Sequence, residues 1–320
     1  MSTENAQQPP APELPDYVTD PNAVLKDEGV KWRYGRAPDY TKTRKVFEET
    51  KEKTHAPLSL PQLVENLVKN WEIEASFKPH LPDWRTIDPQ AYSFAINASE
   101  PEPASHMLKL GTYNAIIAAN EYYSPEHSDF ASSHKTFKRM MPAFAWEVLE
   151  VYSGPPVVAF RWRHWGVMAG DYVGINNKGE KVRAKAHGGT IDIQGVTVAS
   201  VNEKLQLRDV RTWFDPMDMF RQIAPEGDVE REVLGKGVRP ADVVEGAQAE
   251  AGVQAVPDEQ TLPDETIDAS ALARAQAAGC PFAVAVSDAE VGLDQLPAGH
   301  PSVEEPVRGD ENLAMPGAFH

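Results

Sequence analysis

Residues 144–166 read FAWEVLEVYSGPPVVAFRWRHWG. Two runs that alternate between apolar and polar residues flank Gly154-Pro155-Pro156, a turn sequence, so the stretch predicts an antiparallel hairpin. Alternation along the second run puts Val158, Phe160, Trp162 and His164 on one face and Arg161 and Arg163 on the other. The arginines are expected to snorkel or to face water. His164 shares the apolar face and has two readings. It is a satisfied core histidine, or it stands at the strand end before Gly166, where a concave sheet opens, and moves protons.

Working backward, HKTFKRMMPAF (134–144) reads as a basic helical piece stopped by Pro142, LGTYNAIIAANEYY (110–123) as a helix, and YSFAIN (92–97) as a short strand. The clearest helix is SLPQLVENLVKNWEIEASF (59–77). Ser59 is its N-cap candidate, with Pro61 in the first turn and Gln62 at the capping-box position. Leu60, Leu63, Val64, Leu67, Val68, Trp71 and Ala75 follow the helical period and define one apolar stripe. Glu74 falls inside that stripe beside Leu67 and Trp71, and Glu72 at its margin. A carboxylate on a buried face is costly unless partnered. Glu74 therefore either reaches water past the core contact or lines a pocket. YTKTRKVFEETKEKT (40–54) reads as a short charged helix with a solvated face, and residues 1–22 as a flexible, Pro-rich arm.

Working forward, GDYVGINNKGEK reads as a loop, followed by the strands VRAKAHGGTIDIQGVTVASV and LQLRDVRTWF and a closing helix DPMDMFRQI. Helices first and a long antiparallel meander afterwards predict an α+β domain over residues 23–222, with helices packed on one side of a curved sheet. Asp209, Arg211, Trp213 and Asp215 share one side of the last strand. Asp215 precedes Pro216, so it serves as the N-cap of the closing helix, lines a pocket mouth, or does both.

The chain of 320 residues has a net charge of −17, and residues 223–320 hold 19 Asp and Glu against 5 Lys and Arg. All seven tryptophans and all nine tyrosines precede residue 214. The acidic, Ala- and Pro-rich remainder buries too little surface to offset its ordering entropy, so residues 223–320 are expected to be a largely disordered tail. Its one helical stretch is residues 269–279, followed by Cys280-Pro281 and Gly299-His300-Pro301. That region is an inert solubilising tail, a docking segment for a protein partner, or a thiolate donor to haem. The charge balance argues against nucleic acid. No 18-residue apolar run is present to span a membrane. The first residues lack the apolar core of a secretory signal. The expectation is a soluble, cytoplasmic protein. A single cysteine makes no internal disulfide, and the scattered histidines give no zinc pattern. No dinucleotide, P-loop or nucleophile-elbow motif occurs.

Taken together, KWRYGRAPDYTKTRKVFEETKEKT, SLPQLVENLVKNWEIEASFK, LGTYNAII, FAWEVLEVYS with PPVVAFRWRHWG, and GDYVG resemble the plant pathogen-related protein family. That family is similar to the SnoaL-like polyketide cyclases of the nuclear-transport-factor-2-like superfamily, and the match spans residues 30–222. The resemblance implies a conical barrel, a bent antiparallel sheet wrapped around a long helix with a pocket between them. It implies no cofactor and no metal. It aligns His164-Trp165-Gly166, Gly170 to Gly174, Asp215 and Gln222 with the cyclase pattern, in which a His/Asp pair supplies acid and base for aldol closure. Trp165 and the longer INNKGEKVRAKAHGG segment depart from that pattern. The expected catalytic groups are therefore His164, Asp215 and Glu74, with Trp71, Tyr113, Trp146, Phe160, Trp162 and Trp213 as the wall. The expected ligand is a small hydrophobic, carbonyl-containing metabolite, either turned over by a cyclase or isomerase or only bound. A homodimer through the open sheet face is the third expectation.

Overall fold

The computed structural model describes residues 13–235 and residue 243. Its helices are α1 (Asp16–Thr19), α2 (Thr41–Thr50), α3 (Leu60–Phe77), α4 (Ala104–Leu110), α5 (Thr112–Ile116), α6 (Phe130–Met140) and α7 (Pro216–Ile223). Its strands are β1 (Ser93–Ile96), β2 (Glu102–Pro103), β3 (Phe144–Ser153), β4 (Val157–Val167), β5 (Tyr172–Ile175), β6 (Glu180–Ala184), β7 (Thr190–Val201), β8 (Leu207–Phe214) and β9 (Glu230–Val233). The arm at 1–12, the helix at 269–279 and the Cys280-Pro281 pair lie outside the described residues, as does most of the acidic tail.

The hairpin forms as its alternation dictates, with Trp146 opposite His164 and Val148 opposite Trp162. Two register shifts in β3 bend it, because an extra residue on one strand kinks the ladder. From this hairpin grows a six-stranded sheet in the order β2-β1-β8-β7-β4-β3, antiparallel except where β1 runs parallel to β8. The sheet is an α+β arrangement curved around α3, and the barrel is not closed. The segment read as a loop after Gly170 is instead the β5–β6 hairpin, turned by Asn176–Gly179 and joined by β9 in a second sheet. The side chain of Asn176 accepts from the backbone N–H groups of Lys178 and Glu180, and Gly179 takes the left-handed conformation that glycine tolerates without a Cβ penalty. β9 lies beyond residue 222, so described structure continues past the point where composition drew the domain limit.

Helix α3 is buried on nearly every side, and two separate surroundings explain it. Toward the N-terminal segment, Asn66 donates to the carbonyl of Val18, and Asn70 donates to those of Tyr17 and Asp20 while accepting from the N–H of Val24. Residues 13–22 are therefore not a free arm: Val18 is fully buried and Tyr17 nearly so. Toward the sheet, Leu63, Leu67, Phe94, Phe160 and Leu207 share one core. At the N-terminus of α3 the expected capping box does not form: Ser59 makes no side-chain cap and its N–H goes to the carbonyl of Ala56, while Gln62 accepts instead from the N–H of Leu58, one residue before the cap.

The charged helix α2 is not solvated on all sides. Phe47 packs on Trp165 and Ala145, covering the outer face of β3 and β4. Beneath that cover Arg163 is 8% exposed, with Nη1 3.1 Å from Glu147 and Nε 2.7 Å from Asp192. Its expected position in water is thus corrected, while Arg161 is exposed as read. Glu147 is fully buried and also accepts from the backbone N–H groups of Glu52 and Lys53, which satisfies a charge that would otherwise be prohibitive. Among the described residues, no helix is long and apolar enough to cross a membrane.

Candidate functional site

Between the concave face of the sheet, α3 and helices α5 and α6 lies a cavity of about 210 Å³. Strand alternation sets its wall: Phe160, Trp162 and His164 from β4, and Val210, Thr212 and Phe214 from β8, all point inward. Trp71, Tyr113 and Trp146 complete the aromatic lining. Five of the six residues expected as wall are therefore brought together. Trp213 is not; it is 46% exposed, because it alternates with Thr212 and Phe214 and points to the outer side of β8 with Asp209 and Arg211.

Room for one wall residue is made by a glycine. Gly195 pairs with Trp162 across β4 and β7, and a Cβ there would collide with the indole ring and with the carbonyl of Trp213. The ring lies over the gap and donates from Nε1 to Thr197 Oγ1 at 3.0 Å, and Thr197 in turn shares a hydrogen bond with Thr212. Trp71 is fixed similarly by donation to the hydroxyl of Tyr92 at 3.1 Å.

His164 stands on this wall, its ring stacked on Phe144 with centroids 3.4 Å apart. Burial, helped by the positive charge of Lys138 and opposed by a backbone hydrogen bond at Phe144, pushes the imidazole down to about 3. It is therefore neutral at physiological pH. The next-door Trp165, which departs from the cyclase pattern, faces α2 and donates to Thr50 Oγ1, so it takes no space from the cavity.

The other two expected catalytic groups stand elsewhere. Asp215 caps α7, accepting from the N–H of Met217 at 2.9 Å and pairing with Arg221 at 2.5 Å. It is exposed and does not line the cavity, since the chain turns outward at Pro216. Glu74 is completely buried on the far side of α3. It pairs with Lys78 at 2.9 Å and accepts from the N–H groups of Arg85 and Thr86 and the hydroxyl of Thr86. It neither reaches water nor lines the cavity; it clamps the 85–86 segment to the helix.

The carboxylate that does face the cavity is Glu72. Tyr40 donates its hydroxyl to Glu72 Oε2 at 2.5 Å, and burial, then the Glu72 charge, holds that phenol well above its ordinary range. Arg44, Lys69 and Lys138 also reach the lining. Lys69 is paired with Glu65 at 2.8 Å and lies over the Phe47 ring; burial pushes its ammonium down to about 8. The sequence signal for Glu72 was its spacing from Val68 and Trp71. Starting the helical period at Val68 outlines the cavity side, whereas starting it at Leu60 outlines the core. Among the described residues, no three His, Cys, Asp or Glu side chains converge as a metal site.

No family model matches the chain. A curated protein from Hordeum vulgare, "Pathogen-related protein", is 33% identical over 204 residues, which span 60% of this chain and 83% of that one. Among solved structures, TsrD from Streptomyces laurentii is 11% identical over 49% of this chain and 92% of its own, with a TM-score of 0.29. A SnoaL-like polyketide cyclase from Agrobacterium tumefaciens is 12% identical over 34% of this chain and 80% of its own, with a TM-score of 0.21. Superpositions that loose bear on neither the site nor its chemistry. The relation to the barley protein carries the assignment, and this chain belongs to the pathogen-related protein family.

Proposed function

We propose that the chain encloses a small hydrophobic carbonyl compound and moves a proton on it, as a cyclase or isomerase. One observation carries the reading: a largely aromatic cavity holds both a carboxylate, Glu72, and an imidazole kept neutral, His164. An imidazole pushed down to about 3 is a weak base but a good neutral donor. The roles therefore divide. Glu72 takes a proton from the carbon next to the carbonyl, and the electron pair moves into an enolate whose oxygen is held by the His164 N–H, which exchanges its bond to the Phe144 backbone for this one. For ring closure the enolate carbon attacks a second carbonyl of the same molecule. The resulting alkoxide recovers the proton from the Glu72 carboxylic acid, so the step is balanced without a further reactant. The motif resemblance to SnoaL-like cyclases supports this chemistry, with Glu72 in the place the resemblance gave to Asp215.

A second reading, a protein that binds such a molecule without turning it over, is favoured by the placement of Asp215 outside the cavity. The deciding experiment begins with mass spectrometry of small molecules that copurify with the full chain, followed by incubation with the one recovered. Glu72→Gln and His164→Gln are each expected to lower turnover by about 10²–10⁴-fold while ligand affinity stays within a few-fold. Full turnover in both variants would overturn the assignment of these residues, and retention of the ligand by wild type with no product favours the binding reading.

A further inference from the structure

We propose that the molecule taken into this cavity is an anionic amphiphile, a carboxylate whose apolar body fills the cavity while its charged end rests at Lys138. This rests on the reading of the cavity as a ligand site and names the class of molecule it takes.

The argument starts from a second feature on the same side of the fold. A surface cleft of about 380 Å³ is lined by Tyr34, Arg36, Asp39, Phe77, His134 and Lys135, and it shares Tyr40, Thr43 and Lys138 with the inner cavity. The three shared residues set the cleft directly against the cavity, and Lys138 stands at their boundary. Lys138 is half-buried on α6, lies 5.7 Å from the Tyr40 ring centre, and forms no ion pair among the described residues. A partly desolvated ammonium facing aromatic rings without a counter-charge favours an incoming anion.

The surroundings reinforce this. Arg44, Lys69 and Lys138 line the inner cavity, against the one carboxylate of Glu72. Lys69 is already neutralised by Glu65. Glu72 keeps its charge while accepting from the Tyr40 hydroxyl, which leaves Arg44 and Lys138 against it. The lining thus keeps a positive excess inside a chain whose net charge is −17. Past that boundary Phe94, Phe144, Trp146, Phe160 and Ile193 offer an apolar surface, which suits an apolar body. One anionic end and one apolar body is the ligand this arrangement fits. With its anion at Lys138, the adjoining atoms of the ligand lie beside His164, which feels the same ammonium.

The test is calorimetric titration of the full chain with 2-naphthoate and with its neutral counterpart 2-naphthamide, on wild type and the Lys138→Met, Lys138→Arg and Phe160→Trp variants. Wild type is expected to bind the carboxylate about tenfold more tightly than the amide, as a charge-assisted contact gives. Lys138→Met should erase that preference and leave amide affinity within a few-fold, Lys138→Arg should retain most of it, and Phe160→Trp, which fills the cavity, should weaken both probes. Equal binding of the two probes by wild type, or a preference that survives Lys138→Met, overturns the anionic class but leaves the cavity reading standing. If wild type binds neither probe, or Phe160→Trp changes neither affinity, the cavity reading itself falls and the proposal with it.

Discussion

Glu72 and Glu74 stand two residues apart on α3, and their surroundings could hardly differ more. Glu72 faces the cavity with Tyr40 as its donor, whereas Glu74 is enclosed by Lys78, Arg85 and Thr86. Lys78 keeps a second partner in Asp27, 2.6 Å away, so losing the Glu74 charge does not strand it; the loss falls on the buried Arg85 and Thr86 donors that the carboxylate accepts from, at about 1–3 kcal/mol. Glu74→Gln is accordingly expected to lower urea-unfolding stability by about that much, and Glu72→Gln to lower it far less. If equilibrium unfolding finds the two variants equally stable, the clamp assigned to Glu74 is wrong. The apolar stripe pointed to the member of this pair that does not face the cavity. It marks which side of a helix is wrapped, and α3 is wrapped on two sides by different partners, one of which is a hollow. His164, by contrast, was legible from β4 alone, because period-2 alternation leaves no second choice of face. Asp215 shows the limit of that rule: alternation holds through Phe214 and stops at the helix cap, where the backbone turns away.

At the scale of elements, α2 carries more than its composition announces. Only Phe47 and Val46 supply apolar contact to the cluster with Trp165 and Ala145, and the aliphatic and cationic end of Lys69 lies 3.3 Å above the Phe47 ring. So few apolar residues among ten leave a pattern indistinguishable from a solvated helix. The face that α2 covers also holds the Arg163, Glu147 and Asp192 network. Phe47→Ala should therefore cost about 3–5 kcal/mol, the usual effect of emptying a buried aromatic site, measured by urea unfolding followed by circular dichroism. A loss under about 1 kcal/mol would mean that the helix docks through its charges instead. The hairpin of β3 and β4 was legible because turn residues and alternation agree, which is the consistency between levels that specifies a fold. The β5–β6 hairpin was not, since strands of four and five residues, the first holding Gly174, carry too short a pattern to separate from a loop.

The molecule as a whole has a stability that depends on acidity in a calculable direction. His164 and His134 are both pushed down, to about 3 and about 4, with burial the leading cause in each. In the unfolded chain both titrate near their ordinary 6.5. Between pH 6.5 and 4 unfolding therefore takes up as many as two protons, and stability falls as the pH falls through that window. Above pH 7 neither form is protonated and the effect vanishes. Wild type is expected to lose stability between pH 7 and 5 in urea titrations, and the His134→Gln, His164→Gln double variant to lose distinctly less. An unchanged slope would show that neither imidazole is held neutral by the fold. Composition also separated an aromatic-rich body from an acidic remainder, and β9 shows where that contrast misleads: a strand of Glu, Arg, Glu and Val joins β6 through its backbone, to which composition is blind. The aromatic lining has an optical consequence. Three of the seven indoles, Trp71, Trp146 and Trp162, border the cavity, while Trp213 faces solvent. A molecule entering the cavity would therefore alter the ultraviolet emission of those three rings and leave that of Trp213 as a solvent reference against which to read it.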